Sequence, residues 1–396
     1  MKLMYLACVR LPSAKAHGLQ IVQNCEAFAA AGHTVELWSA RRFAPPGWTQ
    51  GDDIYAYYGV QSLFQHTRLP MIDLMPLARG NPRFERVPFY IGLWTYIFFA
   101  ILKAWGREGV FYSRDEWVLL ALSLFKPRAV LVYEAHLFRT SRMGRWLQRQ
   151  VVRRCGKIIA ITPPLRDDLI AQCGAQPDTV LVAHDGIRAE RFAHLPSKDE
   201  ARQSLGWPQA AFIVGFVGRL HMLNVDKGVG TLIQALAPLD NVWFALAGGP
   251  DEMAAALREQ WIALGQPAEG FLYAGHLPPA AVPHMLAACD VCAMPHPATQ
   301  QFASYTSPLK LFEYMAAGRA IVASDLPGWA DVVQDEVNAL LVPASDIAAL
   351  SAAIRRLQSD PGLRQRLGDS AREQAMTRYT WDARAKTILQ HIESKR

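Results

Sequence analysis

The sequence predicts an α/β protein made of two Rossmann-like domains, and three observations carry that expectation. A chain of 396 residues exceeds what one ordinary core serves and suits about two domains of roughly 150–200 residues each. Short apolar runs alternate with longer helical patterns on both sides of a single lapse near residues 190–208, the rhythm of parallel sheets covered by helices on both faces. With 51% hydrophobic residues, 19% charged residues and 11 Trp, the composition excludes wholesale disorder and a polytopic membrane protein.

The first series opens with LMYLACV, an apolar run of strand length. A helix follows over about residues 19–31, and then the strand TVELWSA, giving β-α-β. The opening MKLMYLACVRLP has one Lys and a short apolar run before Arg10 and Pro12. It lacks the longer apolar region and small-residue cleavage site of a secretory signal and reads as the first strand. Further strands are expected at GVFYSR, AVLVYEA, KIIAIT and TVLVAHDG, separated by helical stretches such as RMGRWLQRQVVRRC. The segment FYIGLWTYIFFAILKAW, residues 89–105, is interrupted by Lys103 and is marginal for a membrane span. It reads first as a core-packed helix, next as a helix touching a membrane surface or lipid acceptor, and last as a span.

Residues 190–208 bring prolines, charges and a short helix but no strand, so the domain boundary is expected near residue 195. A second series then runs through AFIVGFVGRL, VWFALAGGP, GFLYAGHL, DVCAMPHP, RAIVASDLPG and NALLVPAS, each followed by a helix-compatible segment. A last helix is expected over about residues 360–394.

The net charge of +6 favours anionic ligands or an anionic membrane surface. The basic residues are scattered and no zinc-ligand or RNA-binding signature accompanies them, so nucleic acid is not an expected partner. Six cysteines in apolar runs of a large chain point to a reducing, cytoplasmic location, with peripheral contact at the inner face of a membrane as an addition. Cys289 and Cys292 form a lone C-x-x-C where a helix end enters a buried strand. No second ligand pair accompanies them, which disfavours a redox or metal role.

Several residues could carry chemistry. Gly18 stands at a predicted helix start after the first strand, either where backbone N–H groups receive a phosphate or simply as a tight-turn residue. The G-x-G-x-x-G fingerprint is absent there, which argues against an NAD-dependent enzyme. In FVGRLHMLNVDKG a strand ends at Gly218, Arg219 follows, and Lys227 stands eight residues later near a helix N-terminus. A planar guanidinium and a mobile ammonium can together clamp a diphosphate, or they can be solvated surface charge. In YTSPLKLFEYMAAG, Ser307 and Pro308 precede a helix that Gly318 closes. The N–H groups of Leu309 and Lys310 then point at an anion. Glu313 can accept two hydrogen bonds from vicinal hydroxyls, as on a ribose, or can pair with Lys310. His136, at the end of AVLVYEAH, is by itself a packed or turn histidine.

Taken in order, these pieces resemble the family 4 (group 1) retaining glycosyltransferases over nearly the whole chain. The matching segments are AHGLQIVQNCEAFAAAGHTVEL, YEAH, HDGI, GRL with DKG, AGG, and SPLKLFEYMAAG with ASDLPG. The resemblance implies the GT-B fold, two Rossmann-like domains whose parallel sheets face a central cleft. Residues 1–195 would bind the acceptor, 196–372 the nucleotide sugar, and 373–396 would form a helix crossing back to the first domain. It implies transfer of a hexose-type sugar from a UDP or GDP sugar, with retention, to a glycan, lipid-linked or small-molecule acceptor.

By the same resemblance His136, Arg219 and Lys227 are the catalytic groups. The donor diphosphate is held by Arg219 and Lys227 with the backbone of Gly18, Leu309 and Lys310, and the ribose by Glu313. His136 faces the donor sugar, and Gly275 and His276 meet the base. No cofactor and no metal are expected, because the two cations take the place of a divalent ion and no D-x-D is present. Two departures stand out. Tyr305 occupies the place of the first Glu in the family's E-x7-E, so either the hydroxyls of Tyr305, Thr306 or Ser307 replace that carboxylate at the donor sugar or the sugar is held otherwise. Asp185 occupies the place of an Asn. A nucleotide-sugar epimerase or hydrolase of the same design, and a catalytically silent sugar-nucleotide-binding partner of a membrane enzyme, are the alternatives.

Overall fold

Runs that are apolar at every position become central strands, because only a strand covered on both faces can bury side chains on both. The computed structural model describes residues 1–13, 16–43, 53–78, 86–222, 225–305, 307 and 309–394. It divides into two units, Met1–His184 with Trp381–Arg396, and Asp185–Thr380.

The first unit begins with β1 (Lys2–Ala7), α1 (Ala16–Ala30), β2 (Thr34–Ala40), α2 (Ile54–Tyr58) and β3 (Gln65–Leu69). It continues with α3 (Arg86–Ala104), β4 (Val110–Ser113), α4 (Glu116–Leu122), β5 (Leu131–Ala135), α5 (Arg142–Arg154), β6 (Lys157–Ala160), α6 (Pro163–Cys173) and β7 (Val180–Val182). All seven strands run parallel in the order β3-β2-β1-β4-β5-β6-β7. The strand β3 was not expected: QHTRL has a single apolar end and lies at the sheet edge, where His66 Nε2 meets Ser39 Oγ of β2 at 2.7 Å.

The second unit opens with α7 (Glu190–Ala193), α8 (Lys198–Leu205), β8 (Phe212–Val217), the antiparallel hairpin β9 (His221–Met222) and β10 (Val225–Asp226), and α9 (Val229–Leu236). There follow β11 (Val242–Ala247), α10 (Asp251–Ala263), β12 (Phe271–Tyr273), α11 (Val282–Ala288), β13 (Val291–Met294), α12 (Gln300–Ser304) and α13 (Leu309–Ala316). It closes with β14 (Ala320–Ser324), β15 (Leu340–Val342), α14 (Ile347–Ser359) and α15 (Pro361–Arg378). Its parallel sheet has the order β12-β11-β8-β13-β14-β15. The period of two along β8 sends Phe212, Val214 and Phe216 to a core shared with α9, α10 and α14, and Ile213 and Val217 to one shared with α11, α13 and α15.

Two expectations shift. The units divide between His184 and Asp185, eleven residues before the expected position, because Ile187 and Phe192 already belong to the second core and Ile187 N donates to Tyr379 O at 2.8 Å. The single helix expected over residues 360–394 is two, α15 and α16 (Trp381–Glu393). Thr380 leaves the helix to bridge Ile187, and only α16 belongs to the first unit.

The apolar segment 89–105 forms most of α3. One face packs into the first core through Leu93, Tyr96, Ile97 and Ala100, with Tyr96 donating its hydroxyl to Trp38 O at 2.8 Å. The other face exposes Val87, Tyr90, Trp94, Phe98 and Leu102 at helical spacing, so core packing explains half of this helix. Among the described residues it is the one helix long and apolar enough to cross a membrane.

Candidate functional site

Glycines gather the carboxyl ends of the second sheet. Gly218, just after β8, has φ +143° and donates its N–H to Ala247 O at 2.8 Å. Gly248, just after β11, has φ +122° and donates to Gly275 O at 2.7 Å; a Cβ there would lie 1.9 Å from Gly218 O. Only glycine permits this approach, and the carboxyl end of an open parallel sheet is where such folds receive ligands.

Onto this floor the chain lays cations. Lys227 N donates to Leu220 O at 3.0 Å, fixing the return of the β9-β10 hairpin. Gly228 caps α9 with φ +82°, its N–H bonded to Asp226 Oδ1 at 2.6 Å, and a Cβ on it would fall 1.8 Å from Pro295 O. The Lys310 side chain, from the first turn of α13, passes 3.6 Å from where a Cβ on Gly218 would lie. Burial, then the charge of Lys310, then that of Arg219, push the Lys227 ammonium down to about 8. The structure thus brings Arg219, Lys227 and Lys310 within mutual repulsion, an arrangement that an anion relieves.

Glu313 lies one turn after Leu309 and Lys310, and its Oε2 is 2.7 Å from Lys310 Nζ. The helix-surface pair that the spacing permitted is therefore formed. Tyr305 is buried, Thr306 lies outside the described residues, and the Ser307 hydroxyl accepts a hydrogen bond from Asp185 N at 2.9 Å. Gly275 has φ +65° with open space around its Cβ position, and His276 after it is exposed.

Gly18 and His136 belong to the first unit. Gly18 is the third residue of α1 and has no left-handed φ, so it is not a tight-turn residue. A Cβ there would meet Tyr58 Oη at 2.3 Å, and that hydroxyl accepts from Ser13 N at 2.7 Å and donates to Ser13 O at 2.9 Å. His136 directly follows β5, half-buried, with Nε2 2.7 Å from Glu134 Oε1.

A further histidine lies beside Lys227. His296, two residues after β13, is buried edge-on against Phe302 at 4.9 Å and Trp329 at 5.7 Å. Burial and the charge of Lys227 push its imidazole down to about 3, and its buried Nδ1 has no hydrogen-bond partner among the described residues. A histidine in MPHP at the end of a buried strand was the available signal. All six cysteines are free and buried, and no group of metal-ligating side chains gathers among the described residues.

Two parallel-sheet α/β units of this kind are the fold of solved glycosyltransferases of the GT-B class. Residues 211–360 match the family described as glycosyl transferases group 1. D-inositol 3-phosphate glycosyltransferase of Streptomyces bingchenggensis is 30% identical over 263 residues, covering 63% of this chain and 55% of that protein. The chain thus matches about half the length of such relatives. Among solved structures, sucrose-phosphate synthase from Thermosynechococcus elongatus has a TM-score of 0.75 at 19% identity, covering 98% of this chain and 97% of that one. Anabaena HepE in complex with UDP has a TM-score of 0.71 at 19% identity, covering all of both chains.

Proposed function

We propose that this chain is a retaining glycosyltransferase moving a hexose-type sugar from a UDP or GDP sugar to a glycan, lipid-linked or small-molecule acceptor. The observation that carries the reading is Lys227, half-buried beside two further cations at the carboxyl end of the second sheet. A diphosphate neutralises that cluster on binding and gains most when it leaves, since the departing nucleotide carries more charge than the intact donor. Arg219 and Lys227 would then do what a divalent ion does elsewhere, so no metal is needed. Glu313 would exchange Lys310 for the ribose hydroxyls, Gly275 and His276 would border the base, and His136 would face the sugar. Gly18, Leu309 and Lys310 would add backbone N–H groups to the phosphates. The family resemblance supports retention, and a structural neighbour, Anabaena HepE in complex with UDP-glucose, supports the donor class.

The apolar outer face of α3, a helix without a carboxylate, supports peripheral contact with an anionic membrane on the cytoplasmic side. The free, buried thiols accord with that compartment.

The test is nucleotide release in EDTA from a panel of sugar nucleotides, with and without acceptors, followed by proton NMR of the product's anomeric centre. Acceptor-dependent release with retained configuration supports the proposal. Release without acceptor identifies a hydrolase. The silent-partner reading, which Tyr305 in place of a carboxylate favours, predicts nucleotide binding with no release under any condition.

A further inference from the structure

Glu134 sits in β5 with no exposed surface, where every neighbour along the strand is apolar or aromatic. Its Oε1 accepts from Arg384 at 2.9 Å, Arg114 at 3.0 Å and His136 Nε2 at 2.7 Å; its Oε2 accepts from the Tyr112 hydroxyl at 2.5 Å. Burial alone would raise its carboxyl, but Arg114, Arg384 and His136 outweigh that and hold it well below the usual carboxylate range. The arginines are themselves fixed: Arg384, buried in α16, donates to Asn24 Oδ1 at 2.6 Å and His184 O at 2.8 Å, and Arg114 donates to Gln20 Oε1 at 3.0 Å.

We infer that Glu134 is the positioning residue for His136, holding its ring in one orientation with the proton on Nε2. An ionised carboxylate has no proton to donate, so the nitrogen facing it must be the donor, and in a neutral ring the lone pair then lies on Nδ1. Stability alone gives little reason for such a cluster, because a buried ion group is commonly matched or bettered by apolar side chains of similar volume. Orientation of a histidine does give one: partners that fix the ring of a metal-bound histidine are worth about 10–100-fold in activity, and the same fixing of ring and tautomer serves a histidine that faces a substrate. The consequence for sugar transfer rests on the proposal that His136 faces the donor sugar.

The test is nitrogen NMR of the full chain labelled at histidine, with His136→Gln assigning the signals. Glu134→Gln removes the charge, and Glu134→Asp keeps it for the two arginines while shortening the reach to His136. Thermal melting of each variant reports folding. In the wild type His136 Nε2 is expected in the protonated range, and in a folded variant it should leave that range. In transfer assays the variants should lose about tenfold or more in kcat with little change in donor KM, and that loss should vanish when His136→Gln is also present. Unchanged ring signals in both variants, or a wild-type proton on Nδ1, would overturn the positioning. Altered signals with unchanged kcat would overturn the role in transfer by removing His136 from the reaction.

Discussion

Lys310 Nζ stands 2.7 Å from Glu313 Oε2, one helical turn apart, so the carboxylate read as a ribose contact is held by a cation that also belongs to the cluster around Lys227. Both side chains are partly exposed, and such a pair contributes only about 0.2–0.5 kcal/mol to stability. Glu313→Ala should therefore barely move the melting transition. It should weaken UDP or GDP binding by roughly 5–100-fold, the value of two lost hydrogen bonds. It should also abolish discrimination between the nucleotide and its 2′-deoxy analogue, which calorimetric titration of both ligands would show.

Lys227 gives the site a pH signature. Its folded pKa of about 8 lies below the ordinary lysine value, so the unfolded chain binds more protons between about 8 and 10.5 and the ligand-free protein gains stability as pH rises through that window. A bound diphosphate restores the charge. Nucleotide affinity should be flat below about pH 8 and fall above it, with proton uptake on binding near pH 9. Titrations in buffers of different ionisation enthalpy would measure that uptake, and Lys227→Met should remove it.

The glycines of the floor are not equivalent. Gly248→Ala places a methyl against Gly218 O at a φ of +122° and should cost at least about 2 kcal/mol. Gly275→Ala meets open space and only a left-handed φ of +65°, costing about 1 kcal/mol. Urea melts of the two variants would separate them.

How far the sequence anticipates these features follows from how each residue is buried. All six strands of the second sheet are apolar runs and were legible from periodicity. QHTRL was not, because a polar edge strand has no period to read. Glu134 went unread although a charge inside AVLVYEA is a signal of a buried partner; Arg384 lies 250 positions away and only the fold joins them. The break at Thr380 was hidden for the same reason, since the bridge to Ile187 ends a helix whose own residues would continue it. Cationic clustering was half legible: Arg219 and Lys227 came from one motif, whereas the reach of Lys310 to Gly218 is tertiary.

On α3, Phe98 is 56% and Trp94 49% exposed along one row. The double change Trp94→Glu with Phe98→Glu should abolish sedimentation with vesicles containing phosphatidylglycerol and leave nucleotide binding unchanged. Equal binding of wild type and variant to those vesicles would count against the membrane contact.

On the proposed function, Arg219, Lys227 and Lys310 form a metal-independent site for a nucleotide diphosphate. It is tested most directly by thermal stabilisation in EDTA with UDP, GDP, ADP and TDP and their sugars, repeated with Arg219→Ala and Lys227→Met. At least one of these nucleotides should stabilise the wild type, and that stabilisation should be lost in both variants. Stabilisation that survives both substitutions, or that appears only when a divalent ion is added, would contradict it.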